Sequence, residues 1–317
     1  MPPLPAELLP ALRCPICRAR LACAGSECHC ANGACGARFP VIDGIPVLVD
    51  EAHSLFAIQE IVARRAPANA SAPSWKSRLK RRLPGLSQNF VARRNYAHFA
   101  DLLAQPAGPA LVLILGAGNL GQGMEALLSR PHIQLVESDI YFSPRTNLIA
   151  DAHAIPFADA TFAGVIIQAV LEHLVDPPAC VAEIWRVLQP AGLVYAETPF
   201  MQQVHEGRYD FTRYTHLGHR RLFRAFAEIE SGPVAGPGMA LGWAWAYFLM
   251  AFAGTRRARS AAYLVARLTG WPLKHFDRLL LRRPGAYDAG AGYYFLGRKS
   301  DVVLPDRDLI GQYRGGM

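Results

Sequence analysis

Short apolar runs broken by glycine, proline and acidic residues dominate the chain from position 110 onward, and their order predicts alternating strands and helices. Ala110–Leu115 (ALVLIL) is apolar without interruption, as a strand buried on both faces must be. It runs into Gly116-Ala-Gly-Asn-Leu-Gly-Gln-Gly123 and then a helical stretch, Met124–Ser129. Further strands are expected at Ile133–Asp139, Asn147–Phe157 and Gly164–Val170, a helix at Cys180–Leu188, a fifth strand ending at Pro199 and a last one within Ala291–Ser300. Strands alternating with helices imply an α/β fold, a parallel sheet with helices on both faces.

Elsewhere the pattern changes. Arg38–Val49 (RFPVIDGIPVLV) is two apolar runs around Asp43-Gly44, which predicts a β-hairpin. Asn89–Leu103 reads as a helix leading into the α/β region. Residues 231–255 carry no charged side chain, and Ala240–Ala253 (ALGWAWAYFLMAFA) is apolar on every face before Arg256, Arg257 and Arg259. Helical stretches at Ala261–Leu268 and around Lys274–Arg283 follow, so a hydrophobic helical insert at about 239–289 separates the final two strands. The chain thus divides into a small front domain at 1–53, a basic linker at 54–100 and the α/β domain at 101–317.

A hydrophobic fraction of 51% with 18% charged residues excludes wholesale disorder. The net charge of +8 is unevenly spread: residues 61–100 hold nine Lys/Arg and no Asp/Glu, residues 255–285 eight Lys/Arg and one acid. Two basic patches on an acidic body point to an anionic partner, whether phosphate, nucleic acid or lipid head group. The opening MPPLPAELLPALRC has neither the basic start nor the apolar run of a secretory signal, so a cytoplasmic location is expected.

Six of the seven cysteines fall within positions 14–35. In a reducing compartment so local a cluster favours metal ligation over disulfides. Cys14-Pro-Ile-Cys17 and Cys30-Ala-Asn-Gly-Ala-Cys35 supply two knuckles and four thiolates for tetrahedral zinc. Cys23 and Cys28, between them, could replace a member of the second pair. A ribbon this small lacks a core of its own, and the metal would supply the missing stability. With CPIC, CANGAC and FPVIDGIPVLV together, the first fifty residues resemble the zinc ribbon that serves as activator subunit of tRNA and protein methyltransferases and is fused to many bacterial methyltransferases.

A strand, a glycine turn and a helix form a nucleotide site. DAHAIPF from Asp151, VLEHLVDP from Val170 and EIWRVLQPAGLVYAETP ending at Pro199 make the stretch from about Leu111 to Pro199 resemble the class I S-adenosylmethionine-dependent methyltransferases, which have a Rossmann-like sheet. The resemblance places Gly116, Ala117 and Gly118 against the methionine part of S-adenosyl-L-methionine. It puts Asp139, or alternatively Glu137, on the ribose hydroxyls, Asp151 and Ala152 at the adenine, and Gln168 and Ala169 under the cofactor. Ile114 and Ala163 depart from the family, which usually has acids there.

Past the fifth strand, Pro199-Phe-Met-Gln-Gln-Val-His205 through Asp210-Phe-Thr-Arg-Tyr-Thr215 resembles bacterial methyltransferases associated with surface-sugar and lipid-linked glycan synthesis. His205, Glu206, Asp210, Arg213 and His216 are the polar candidates there, and Tyr209 and Tyr214 the stacking ones. His205 or Asp210 would take the proton from an acceptor hydroxyl, and Arg213 would hold a phosphate or carboxylate. His173, in the LEH segment, either lines the site or caps a helix. The expected function is methyl transfer to a small or lipid-linked, glycan-related acceptor, with oxygen as the expected acceptor atom.

The apolar insert followed by arginines suits a peripheral helix at the inner membrane face through residues 240–259; packing in the core or in a homodimer would leave the same pattern. An RNA methyltransferase is the enzymatic alternative, since zinc ribbons also precede domains that modify rRNA and the basic linker suits phosphates. Gln168-Ala-Val-Leu171, however, stands where base methylation would need Asn-Pro-Pro-Tyr. The third reading is a non-catalytic cofactor-binding scaffold.

Overall fold

The computed structural model describes residues 3–64, 84–103, 108–118 and 121–316. The basic run Trp75–Arg82 of the linker lies outside them. The front of the chain forms β1 (Leu21–Ala24), β2 (Glu27–Cys30), β3 (Arg38–Ile42) and β4 (Ile45–Leu48). Asp43 and Gly44 both take positive φ (53° and 78°), the conformation a tight two-residue hairpin turn requires.

The body supplies β5 (Ala110–Leu115), β6 (Ile133–Asp139), β7 (Leu148–Ala150), β8 (Phe162–Gln168), β9 (Leu188–Pro199), β10 (Phe226–Ala235) and β11 (Gly292–Lys299). Their order is β1-β2-β3-β4-β7-β6-β5-β8-β9-β11-β10. Strands β4 to β9 of this sheet run parallel, and β11 and β10 close it antiparallel. The third strand is shorter than the apolar run Asn147–Phe157 suggests, because the chain turns at Asp151, whose carbonyl accepts from the Ala154 amide.

Alternate residues of β5 face opposite layers, as the pleat dictates. Leu113 and Leu115 join Ile184 and Val187 of helix Pro177–Val187, while Val112 and Ile114 pack with Tyr96 and Phe99 of helix Ala92–Leu102. Asp176 caps the first of these helices through the Ala179 amide (3.1 Å).

The ribbon solves its core problem by leaning on the body. Leu4, Leu8, Leu12, Leu21, Phe39 and Leu48 belong to the same buried cluster as Ile184 and Val187. β4 extends the body sheet in parallel, Val47 opposite Ile149 and Leu48 opposite Ala150. Arg18, in the first knuckle, pairs with Glu183 at 2.9 Å.

The insert consists of helices Pro237–Ala251 and Arg256–Gly270 followed by short turns to Ala289. The fully buried Asp277 carboxylate holds it, accepting from the amides of Gly236 (3.0 Å), Gly238 (2.8 Å) and Met239 (2.9 Å) at the start of the first helix. Among the described residues no helix is long and apolar enough to cross a membrane.

Candidate active site

A cavity of about 660 Å³ opens along the carboxyl ends of β5 to β9. Gly116 turns the chain there with φ +81°, and a β-carbon on it would stand 2.2 Å from Val170 Cγ2. Only glycine lets the turn pass this close to the end of β8. Asn119 and Leu120 of the same turn lie outside the described residues. Gly116, Ala117, Gly118, Glu137, Asp139, Asp151, Ala152, Gln168 and Ala169 all line the cavity.

The two acids at the end of β6 differ. Glu137 is held by Arg145, whose Nε donates at 2.8 Å and whose Nη2 also contacts it; burial nevertheless leaves its carboxyl above the usual range. Asp139 accepts the Tyr141 amide at 2.9 Å, and its Oδ2 would lie 3.2 Å from a β-carbon on Gly118. Burial raises its pKa, backbone amides only partly opposing it. Asp139 therefore stands beside the glycine turn with no cationic partner among the described hydrogen bonds and ion pairs.

Asp151 is more heavily engaged. The Ser54 hydroxyl donates to it at 2.5 Å, and the His153 amide and ring lie at 3.0 and 2.6 Å. Burial would raise its pKa, but these bonds bring it below the ordinary value. Each carboxylate oxygen has two acceptor sites, which leaves room for a further donor. Just past the ribbon, Ser54 thus holds a carboxylate of the cavity and Phe56 lines the cavity itself, stacked on Tyr209 (5.6 Å between centroids). Beneath the cavity, Glu197 accepts from Gln168 Nε2 (2.7 Å), Asn89 Nδ2 (2.9 and 3.0 Å) and the Tyr195 hydroxyl, while Gln168 Oε1 accepts from Tyr96 (2.8 Å). Sequence reasoning passed over Ser54, Phe56, Asn89 and Glu197, although a lone acid in the apolar run LVYAETP was a visible signal for the last.

At the other end of the cavity stand Glu172, His173 and His205. Glu172 follows β8 in the turn Leu171–His173, and its side chain is buried. Among the described residues neither carboxylate oxygen has a hydrogen-bond partner; His205 Nε2 and His173 Nε2 lie 3.7 and 3.8 Å from Oε1. Burial pushes its pKa up to about 8. His173 Nδ1 faces the Tyr209 carbonyl at 2.8 Å, and because a carbonyl only accepts, the proton sits on Nδ1 and Nε2 is bare. His205 Nδ1 lies 3.4 Å from Asp210 Oδ2, which also accepts the His205 amide (2.9 Å).

The remaining acceptor-side candidates take other parts. Arg213 spends its donors on Asp210 and on the carbonyls of Gln202, Thr212 and Gln203, so it shapes the loop and has no N–H left for a phosphate or carboxylate. Asp210, held by Arg213, has its pKa lowered by that pairing despite burial, and its side chain faces the loop, not the cavity. His216 is buried against Ser231 Oγ (3.0 Å), with burial pushing its pKa down to about 4, and Tyr214 packs towards His219. Glu206 and Tyr209 do line the cavity.

In the ribbon, Cys14, Cys17, Cys30 and Cys35 bring their sulfurs within 4.8 Å of one another, with Cys14–Cys35 at 3.9 Å and Cys17–Cys30 at 3.4 Å. Tetrahedral zinc with bonds of about 2.3 Å spaces its sulfurs about 3.8 Å apart. The four thiols fit that ion. Cys23 and Cys28 are not among its ligands: they face each other across the β1–β2 hairpin and form a disulfide, which corrects the expectation that the cluster favours metal ligation over disulfides and that either could replace a member of the second pair. Cross-strand neighbours are close enough to bridge whatever the purpose of the cluster.

The methyltransferase domain family matches residues 116–196, from the glycine turn through most of β9. Residues 116–196 are thus an S-adenosylmethionine-dependent methyltransferase domain, set in a Rossmann-like sheet with a four-cysteine ribbon in front. Its activity is methyl transfer from S-adenosyl-L-methionine. No curated protein matches the chain. Among solved structures it is similar to a Galdieria sulphuraria protein described as a sarcosine dimethylglycine methyltransferase (15% identity, 66% of this chain and 84% of that one, TM-score 0.42). It is also similar to a chain in the complex of the Haloferax volcanii Trm112 methyltransferase activator with a methyltransferase (20%, 66% and 92%, 0.39). A third is Haemonchus contortus phosphoethanolamine N-methyltransferase 2 in complex with S-adenosyl-L-methionine (16%, 68% and 55%, 0.41).

Because β4 pairs with β7 and Ser54 holds Asp151, loss of zinc should reach the cavity. Replacing Cys14 and Cys17 by Ser is expected to lower both thermal stability and affinity for S-adenosylhomocysteine, read by calorimetry alongside zinc content. Zinc loss with unchanged affinity would show that ribbon and cavity are independent.

Proposed function

We propose that the chain methylates a hydroxyl oxygen of a small or lipid-linked, glycan-related acceptor. The observation that carries this is the polar part of the cavity: two histidines and a buried carboxyl group line the same cavity as the glycine turn, grouped together. The bound cofactor supplies an electrophilic methyl on a sulfonium, so the protein's task is to align it with the acceptor and make the hydroxyl nucleophilic. Gly116, Ala117 and Gly118 take the methionine end of the cofactor. Asp139, rather than the Arg145-paired Glu137, takes the ribose hydroxyls, Asp151 and Ala152 the adenine, and Gln168 and Ala169 lie under it. Hydroxyl activation centres on His205, whose ring is set by Asp210 and, through it, Arg213. The divisions at 1–53, 54–100 and 101–317 are then a division of labour in part: the first is the zinc-held edge and the last the transferase, while Ser54, Phe56, Asn89 and helix Ala92–Leu102 of the stretch between them take part in the cavity and core of the transferase.

The insert offers the route for a lipid-linked acceptor. Leu241, Trp245, Phe248 and Phe252 recur at helical spacing and are exposed, Phe252 by 78%, and Arg256, Arg257 and Arg259 follow at once. This is the arrangement of a helix lying in a bilayer interface with cations at lipid phosphates. Tyr247 of the same helix donates its hydroxyl to the Val204 carbonyl, next to His205, so the exposed helix and the acceptor loop are tied.

His205→Ala should cut methyl transfer by about a hundredfold or more while S-adenosylhomocysteine binding persists. Full activity in that variant would reject the role given to His205. For the insert, co-sedimentation with vesicles containing anionic lipid should retain the wild-type protein and release a Phe248→Ser, Phe252→Ser double variant. Equal partitioning of the two proteins would remove the membrane from this reading.

A further inference from the structure

Glu172 poses a problem that methyl transfer alone does not resolve. A carboxyl group buried with both oxygens unpartnered among the described residues costs free energy that a folded chain normally avoids, and it persists where something else compensates. Its surroundings supply the clue. The Nε2 atoms of His173 and His205 lie 3.8 and 3.7 Å from Oε1, and the ligand atoms of all three residues lie within 4.8 Å of one another. Both imidazoles turn Nδ1 outward, His173 to the Tyr209 carbonyl and His205 towards Asp210, and present Nε2 to the carboxylate. That is the outer support a metal-bound histidine uses, the far nitrogen fixed by a carbonyl or carboxylate and the near one left bare. Ligands at 2.0–2.2 Å around a tetrahedral ion sit about 3.4 Å apart, so small side-chain rotations would close the triad.

We propose that Glu172, His173 and His205 hold a divalent transition-metal ion at the acceptor end of the cavity, with its open positions facing the acceptor. Two imidazoles and one carboxylate suit zinc or ferrous iron and leave coordination sites free. Their natural occupants are oxygen atoms of the acceptor, which favours a vicinal diol or a hydroxyl beside a carboxylate. This inference rests on the hydroxyl reading above and names how His205 acts there, as a ligand. The bound hydroxyl releases its proton to water, its oxygen forms the O–CH3 bond as the S–CH3 bond breaks, and S-adenosylhomocysteine departs as a neutral thioether.

The test is Mn2+ titration of the full-length, ribbon-zinc-loaded protein, followed by the electron paramagnetic resonance signal of free Mn2+. The wild type should bind one Mn2+ per chain. Glu172→Gln and His173→Ala should each weaken that binding about tenfold or more, with S-adenosylhomocysteine affinity as the check that each variant is folded. Mn2+ bound equally by wild type and variants, or not at all by folded wild type, would overturn the site. Methylation of a hydroxyl acceptor at full rate after chelation that spares the ribbon zinc would also overturn it, while leaving the hydroxyl reading standing. Intact Mn2+ binding together with transfer only to nitrogen or carbon acceptors would instead sink that reading and keep the ion.

Discussion

The short parallel pairing of β4 with β7 is the contact on which the two ends of the chain depend. Only Val47–Ile149 and Leu48–Ala150 are in register, yet this joins the zinc ribbon to the edge of the body sheet. β7 ends where Asp151 begins the turn beneath the expected adenine site, and the chain leaving β4 delivers Ser54 to that carboxylate and Phe56 to the cavity wall. A structural metal held by the cysteines of residues 14–35 would therefore bear, through these contacts, on a site more than a hundred residues away in sequence.

The cavity has two ends with different chemistry. At the glycine turn, the close-running backbone and the acids at strand ends suit a nucleoside with a charged tail. At the opposite end, two imidazoles and a buried carboxyl group stand where the proposed acceptor would bind. The network of Asn89, Gln168, Tyr195 and Glu197 lies between core and cavity and satisfies the Glu197 carboxylate from several donors, a buried polar cluster of the kind that fixes geometry when every member is paired. Burial raises the pKa of that carboxyl in spite of these bonds.

Much of this was readable from residues alone, because strands buried on both faces and glycine turns leave local signals. The run Ala110–Leu115, the turn at Gly116 and the cysteine spacing each carry their meaning within a few positions. What stayed hidden depends on distant partners. Two residue pairs of parallel register have no sequence signature, so the attachment of β4 to the body could not be foreseen. Glu172 stood in view beside His173, but its significance comes from His205, brought to it by the loop after β9. Asp277 looks like one acid in a basic stretch and proves to be the cap of a helix forty residues earlier. Arg213 resembled an anion binder until the carbonyls around it could be counted.

The central claim is that one cavity at the strand ends binds the methyl donor. Calorimetric titration of the zinc-loaded protein with S-adenosyl-L-methionine and S-adenosylhomocysteine tests it most directly. The account predicts saturable binding of both at one site per chain, abolished when Gly116 is replaced by a bulky residue. Folded, zinc-loaded protein that binds neither would contradict it.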